Sequence, residues 1–116
     1  MSTREDRRAT AHASAARAFV ERVRERDIDR LDTLLQFGST VRGEASGLGS
    51  DVDFLAIVDD DADRDAVETI LSDTAYDVMV EYGPVVEVHV RSRSAVERQR
   101  DHPFFSRAFR EGKIHV

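Results

Sequence analysis

At 116 residues, with 17 basic and 23 acidic side chains and a net charge of −6, the chain is sized for one domain built on one core. The absence of cysteine excludes disulfide frameworks, thiolate metal sites and cysteine nucleophiles, so any metal must be held by oxygen or imidazole. No apolar run approaches the roughly 20 residues needed to span a bilayer, and the opening Met1-Ser2-Thr3-Arg4-Glu5-Asp6 lacks the apolar centre of a signal peptide, which makes the cytoplasm the expected location.

The segment from Thr3 to about Arg26 is rich in Ala, Arg and Glu, and Ala9, Ala13, Ala16, Val20 and Val23 fall at helical spacing. This predicts a long first helix with an apolar stripe. After an acidic connector, Thr33-Leu34-Leu35-Gln36-Phe37 reads as a buried strand ending at Gly38-Ser39. Ser39 to Ala45 reads as a helical turn opened by a serine cap, and Ser46 to Ser50 as a loop. Asp51 to Val58 predicts a second strand, apolar after its two leading acids and closed by a solvated turn at Asp59-Asp60-Asp61.

From Ala62 to about Tyr82, the positions Ala66, Val67, Ile70, Leu71, Val78 and Val80 predict a helix that stops at Gly83-Pro84. Val85 to Val90 alternates as a third strand, with Glu87, His89 and Arg91 on one face and Val86, Val88 and Val90 on the other. Pro103 opens a last helix through Arg110, Gly112 ends it, and Lys113 to Val116 forms a short edge strand. Without repeat or linker, residues 1–116 read as a single α/β (α+β) domain: a small mixed β-sheet flanked by helices.

Asp51 and Asp53 stand at alternate positions at the mouth of an apolar strand, so both carboxylates point to one face. Two such groups side by side persist when a cation neutralises them or a proton is shared. Carboxylate oxygens suit magnesium. The same spacing recurs at Asp27/Asp29, Asp59/Asp61, Asp61/Asp63 and Asp63/Asp65, so spacing alone does not select the first pair. What selects it is the apolar strand after it and the Gly38-Ser39 turn before it, where a strand hands over to a helix whose N-terminal N–H groups suit phosphate.

Gly38 lets the backbone approach a phosphate closely and Ser39 adds a hydroxyl donor. Arg42 either reaches the same phosphates or pairs with a nearby acid such as Glu44. Glu87 either approaches the aspartates from a neighbouring strand, as a third metal carboxylate or a base, or is a solvated partner of Arg91. His89 reads as a surface imidazole.

Charge is laid out unevenly: residues 31–90 carry 2 Arg against 14 acids, while residues 91–116 carry 7 basic residues against 3 acids. An acidic middle repels nucleic acid phosphates unless cations intervene, which disfavours direct nucleic acid binding. One lysine, abundant Asp and a charged fraction of 34% read as a salt-adapted composition.

The run Gly38-Ser39-Thr40-Val41-Arg42-Gly43-Glu44-Ala45, followed by Gly49-Ser50-Asp51-Val52-Asp53, resembles the signature of the polymerase β-type nucleotidyltransferase superfamily. The Arg-Gly-x-Ala and Ser-Asp-x-Asp within it, and the closing Pro103-Phe104-Phe105 to Arg110-Glu111-Gly112, are similar to the minimal nucleotidyltransferases that form the antitoxin half of HEPN/MNT toxin–antitoxin pairs. The resemblance implies that Gly38 and Ser39 bind nucleotide phosphates and that Asp51 and Asp53 coordinate two Mg2+ ions. It also implies transfer of AMP from ATP, with pyrophosphate leaving.

The family's third carboxylate is commonly Asp, where this chain offers Glu87. Larger relatives carry an acceptor-selecting domain for which this length leaves no room. The resemblance therefore implies a partner, a helical HEPN toxin presenting a tyrosine hydroxyl. The alternative is an antitoxin that occludes its toxin without efficient catalysis.

Overall fold

The computed structural model describes residues 4–38 and 52–115, with the side chains of the first helix described from Thr10 onward. The predicted helical turn at Ser39–Ala45 and the loop after it lie outside the described residues. The elements run α1 (Arg4–Arg26), β1 (Leu31–Phe37), β2 (Val52–Val58), α2 (Arg64–Tyr82), β3 (Val86–Ser92), α3 (Arg93–Arg98), α4 (Pro103–Glu111) and β4 (Lys113–Ile114).

The four strands form one mixed sheet in the order β3-β2-β1-β4. β1 is antiparallel to both β2 and β4, and β2 is parallel to β3. A parallel pair needs a crossover, and α2 supplies it. Alternation along the strands then divides the sheet into two faces with separate cores. Leu34, Val52, Phe54, Ala56, Val58, Val86 and Val90 pack under α1 and α2. On the opposite face Leu35, Leu55 and Ile57 pack with Val96 of α3 and Phe105 and Ala108 of α4.

The buried stripe of α1 is rotated from the predicted one. Ala13 is exposed, while His12, Ala15, Ala16, Phe19, Val20 and Val23 are buried. The larger ring decides the rotation: Phe19 is fully buried, with its centroid 4.7 Å from that of Phe54, and a phenyl group buries far more apolar area than the methyl of Ala13.

A similar correction applies to α2, which buries Val67, Leu71, Thr74, Ala75 and Val78 but leaves Ala66 and Val80 exposed. Thr74 is tolerated in the core because its hydroxyl donates to the Ile70 carbonyl at 2.8 Å. The helix begins two residues later than predicted, where the Asp63 carboxylate accepts from the Ala66 N–H at 3.1 Å. It ends at Gly83, whose φ of 105° suits glycine and whose N–H donates to the Met79 carbonyl at 2.8 Å.

The helix α3 was not expected, since a six-residue charged segment with one buried apolar side chain, Val96, shows no period. Its start is capped twice: Ser92 Oγ accepts from Ala95 N and Asp60 Oδ1 accepts from Ser94 N at 2.9 Å. Asp60 and Asp61 are therefore not merely solvated turn residues, for Asp61 also pairs with Arg30 at 2.7 Å.

α4 docks on β1 through Gly112. A Cβ there would lie 2.8 Å from Leu35 Cδ1 and 2.9 Å from the Gln36 carbonyl oxygen. Beyond it β4 pairs with Leu35 and Gln36 of β1.

Candidate metal centre

The register of the parallel pair sets Asp53 of β2 directly beside Glu87 of β3. Both belong to the face that carries Leu55 and Ile57, and His89 lies two residues along from Glu87 on that same face. One ligand atom from each of Asp53, Glu87 and His89 lies within 4.8 Å of the other two. Glu87 thus stands near the aspartate while its side chain is half exposed; its Oε1 is 3.6 Å from His89 Nε2, and the Arg91 guanidinium donates to the Val90 carbonyl at 2.9 Å.

Two carboxylates at this separation repel each other, and a cation among them turns repulsion into attraction. The Glu87–His89 distance exceeds a hydrogen bond, so the imidazole is a charge neighbour of the carboxylate and not a bonded clamp.

His89 is half-buried, with 28% of its side chain exposed. Its ring packs against both Phe37 and Phe104, with centroid distances of 6.0 and 5.4 Å. It is thus part of the cluster and not the surface imidazole that the sequence suggested. The alternation from Glu87 already placed it on the correct face; what the sequence did not show is that Phe104, from α4, stands against it.

Gly38 has a φ of +89°, and a Cβ built there would lie 2.7 Å from Asp53 Oδ2. The absent side chain therefore makes room for the aspartate carboxylate, in addition to the close phosphate approach expected of it. Ser39, Arg42 and Asp51 lie outside the described residues. Three of the four competing Asp-x-Asp spacings run through residues engaged elsewhere, since Asp61 pairs with Arg30 and Asp63 caps α2; the fourth, Asp27/Asp29, lies in the connector between α1 and β1. Among the described residues, Asp53, Glu87 and His89 are the group of acidic or imidazole side chains placed to share an ion.

The arrangement offers two hard oxygen donors and one borderline nitrogen donor at the edge of a sheet. Two carboxylates fit a divalent cation that also takes ligands from a substrate phosphate, as magnesium does; an imidazole donor suits manganese or zinc better.

Residues 16–115 match the family described as nucleotidyltransferase domain. No curated protein matches the chain. Among solved structures, a candidate nucleotidyltransferase from Sulfolobus solfataricus is similar, at 17% identity, with 84% of this chain and 82% of that chain covered and a TM-score of 0.48.

Proposed function

Because the chain belongs to the nucleotidyltransferase domain family, we propose that it is a magnesium-dependent nucleotidyltransferase that moves AMP from ATP to a hydroxyl group. The observation that carries this reading is the meeting of Asp53 and Glu87 on adjacent strands, their ligand atoms within 4.8 Å. Asp53 and Glu87, together with Asp51, are the residues that would hold the cation. A divalent cation bound there would supply charge neutralisation for the triphosphate and the departing pyrophosphate.

The chain's own residues do the rest. Gly38 keeps the approach to Asp53 free of a side chain, so that a phosphate can come against the backbone, while Ser39 and Arg42 donate to its oxygens. His89, packed against Phe37 and Phe104, stands 3.6 Å from the half-exposed Glu87 carboxylate and limits where it can swing.

The acceptor in this reading is a tyrosine hydroxyl of a HEPN-type toxin, which the chain would neutralise as its antitoxin, with residues 1–116 acting as one catalytic unit in the cytoplasm. The acidic, lysine-poor composition suits a salt-rich interior and weighs against direct nucleic acid binding. No helix among the described residues is long and apolar enough to cross a membrane.

The test begins with calorimetric titration of Mg-ATP into the wild type, Asp53→Asn and Glu87→Gln, at low and high salt. The proposal expects binding by the wild type and loss of at least ten-fold in affinity in each variant. It then expects mass spectrometry to show AMP added to the partner by the wild type alone. Absence of Mg-ATP binding at every salt concentration would sink the transferase reading and leave occlusion of the toxin in its place.

A further inference from the structure

A cleft of about 360 Å³ opens beside the candidate metal centre, between the end of β1 and the exposed flank of α4. Phe37, Pro103, Phe104 and Ala108 form its apolar walls, and Arg107 and Glu111 form its polar rim. It is continuous with the centre through two residues. Gly38 lines the cleft and also abuts the Asp53 carboxylate. Phe104 lines it and packs its ring against His89.

We propose that this cleft seats the purine base of the nucleotide, in contact with the rings of Phe37 and Phe104, with Arg107 and Glu111 reading the base's polar edge. The inference rests on the metal–nucleotide reading of the adjacent centre and adds to it the place and the chemistry of base recognition. Three features select this occupant.

The walls carry two aromatic rings, 5.3 Å apart and set edge to face at 86°, which offers a flat ligand one ring face and one ring edge. Such contacts are favourable for a base and need no sequence of hydrogen bonds. The rim is a guanidinium and a carboxylate joined at 3.0 Å, a donor beside an acceptor. Adenine presents the complement, an acceptor ring nitrogen next to a donor amine. A tyrosine ring would also suit the walls, and its hydroxyl can both donate to Glu111 and accept from Arg107, so the test below includes a tyrosine analogue as the competing occupant. Finally, the volume lies at the small end of the range for ligand clefts, about 300–1,000 Å³, which suits one heterocycle and not a peptide segment.

The test compares Mg-ATP with Mg-tripolyphosphate, which has the phosphates and no base, by calorimetry on the wild type, Phe104→Leu and Arg107→Ala. Phe104→Leu keeps an apolar side chain against His89 and removes the ring; Arg107 is exposed on α4 and is not one of the side chains placed to share an ion. Thermal melts establish that each variant is folded. The expected result is an ATP affinity about ten-fold above that of tripolyphosphate in the wild type, cut to about three-fold or less in each variant.

A second measurement needs no variant: nuclear Overhauser contacts from the adenine ring protons to the Phe37 and Phe104 ring protons in the Mg-ATP complex. If tripolyphosphate binds and ATP binds no better, the base has no site and this inference is overturned while the function stands. If ATP's advantage survives both substitutions and the contacts are absent, the base sits elsewhere and the inference is likewise overturned. Contacts from N-acetyltyrosinamide to Phe104, in place of adenine, would reassign the cleft to the acceptor. If neither triphosphate binds, the metal–nucleotide reading and this inference fall together.

Discussion

Replacing Gly38 with alanine perturbs the backbone and the metal centre at once, and a second glycine separates the two effects. Gly38 has a φ of +89° and Gly83 a φ of +105°, so alanine at either position is held in a conformation that L-residues rarely adopt. Each substitution should cost about 1–2 kcal/mol from that strain, lowering the midpoint of thermal unfolding by about 3–10 °C at this chain length. The difference lies in what the new methyl meets. At Gly83 nothing stands within 4 Å, whereas at Gly38 the methyl would lie 2.7 Å from Asp53 Oδ2. Carbon and oxygen need about 3.4 Å for ordinary contact, so the carboxylate must swing away from its place beside Glu87.

Since the end of one side chain can move, the extra stability cost is small, but a ligand displaced by about 0.7 Å no longer fits a cation with strict geometry. Thermal melts combined with manganese titration followed by nuclear relaxation read both quantities. Gly83→Ala should lose stability and keep metal affinity; Gly38→Ala should lose a similar amount of stability and at least ten-fold in affinity. Equal metal affinity in the two variants would refute the role assigned to the Gly38–Asp53 contact.

Phe19→Ala removes a fully buried ring that packs on Phe54 and should cost about 3–5 kcal/mol, read as a lower urea midpoint; a loss under about 1 kcal/mol would mean that α1 is not clamped by this ring. Asp63→Ala removes the acceptor for the Ala66 N–H and should lower stability by about 1 kcal/mol, whereas Asp63→Asn, which keeps the acceptor, should lose less than half of that. His115 has its pKa held below the ordinary 6.5, first by burial and then by the positive charges of Lys113 and Arg24. The folded chain therefore binds fewer protons than the unfolded one between the lowered pKa and 6.5, so stability should fall as pH drops through that window. A titration of the His115 ring proton by magnetic resonance that gives a value above 6.5 would contradict this sign.

The strands were legible because burial on the sheet writes itself as alternation or as an apolar run. Even the face shared by Glu87 and His89 followed from parity alone. Asp53 was legible because an acid at the head of an apolar strand contradicts its surroundings. What sequence did not carry was relative size and distance along the chain. The helical stripe drawn through Ala13 was displaced by Phe19, since periodicity counts apolar positions equally while packing weights them by area. The helix α3 escaped because its stability comes from Ser92 and Asp60 caps, one of them 34 residues away, and not from its own pattern. His89 was taken for a surface group because its neighbours Phe37, at the end of β1, and Phe104, in α4, are far from it in sequence and meet it only in the fold.

The sheet's two faces are unequal. Among the described residues most of the apolar mass lies under α1 and α2, while the face bearing the metal centre holds six buried side chains, covered by the six-residue α3 and the nine-residue α4. Regions with fewer buried contacts open at lower free energy than the whole molecule. The molecule thus separates what it must remember from what it can revise: the larger core specifies the architecture, and the smaller one is a replaceable cover. Changes at Phe104, Arg107 or Glu111 can redraw the shape presented to a ligand while the β2–β3 register that brings Asp53 to Glu87 stays fixed by side chains on the other side of the sheet.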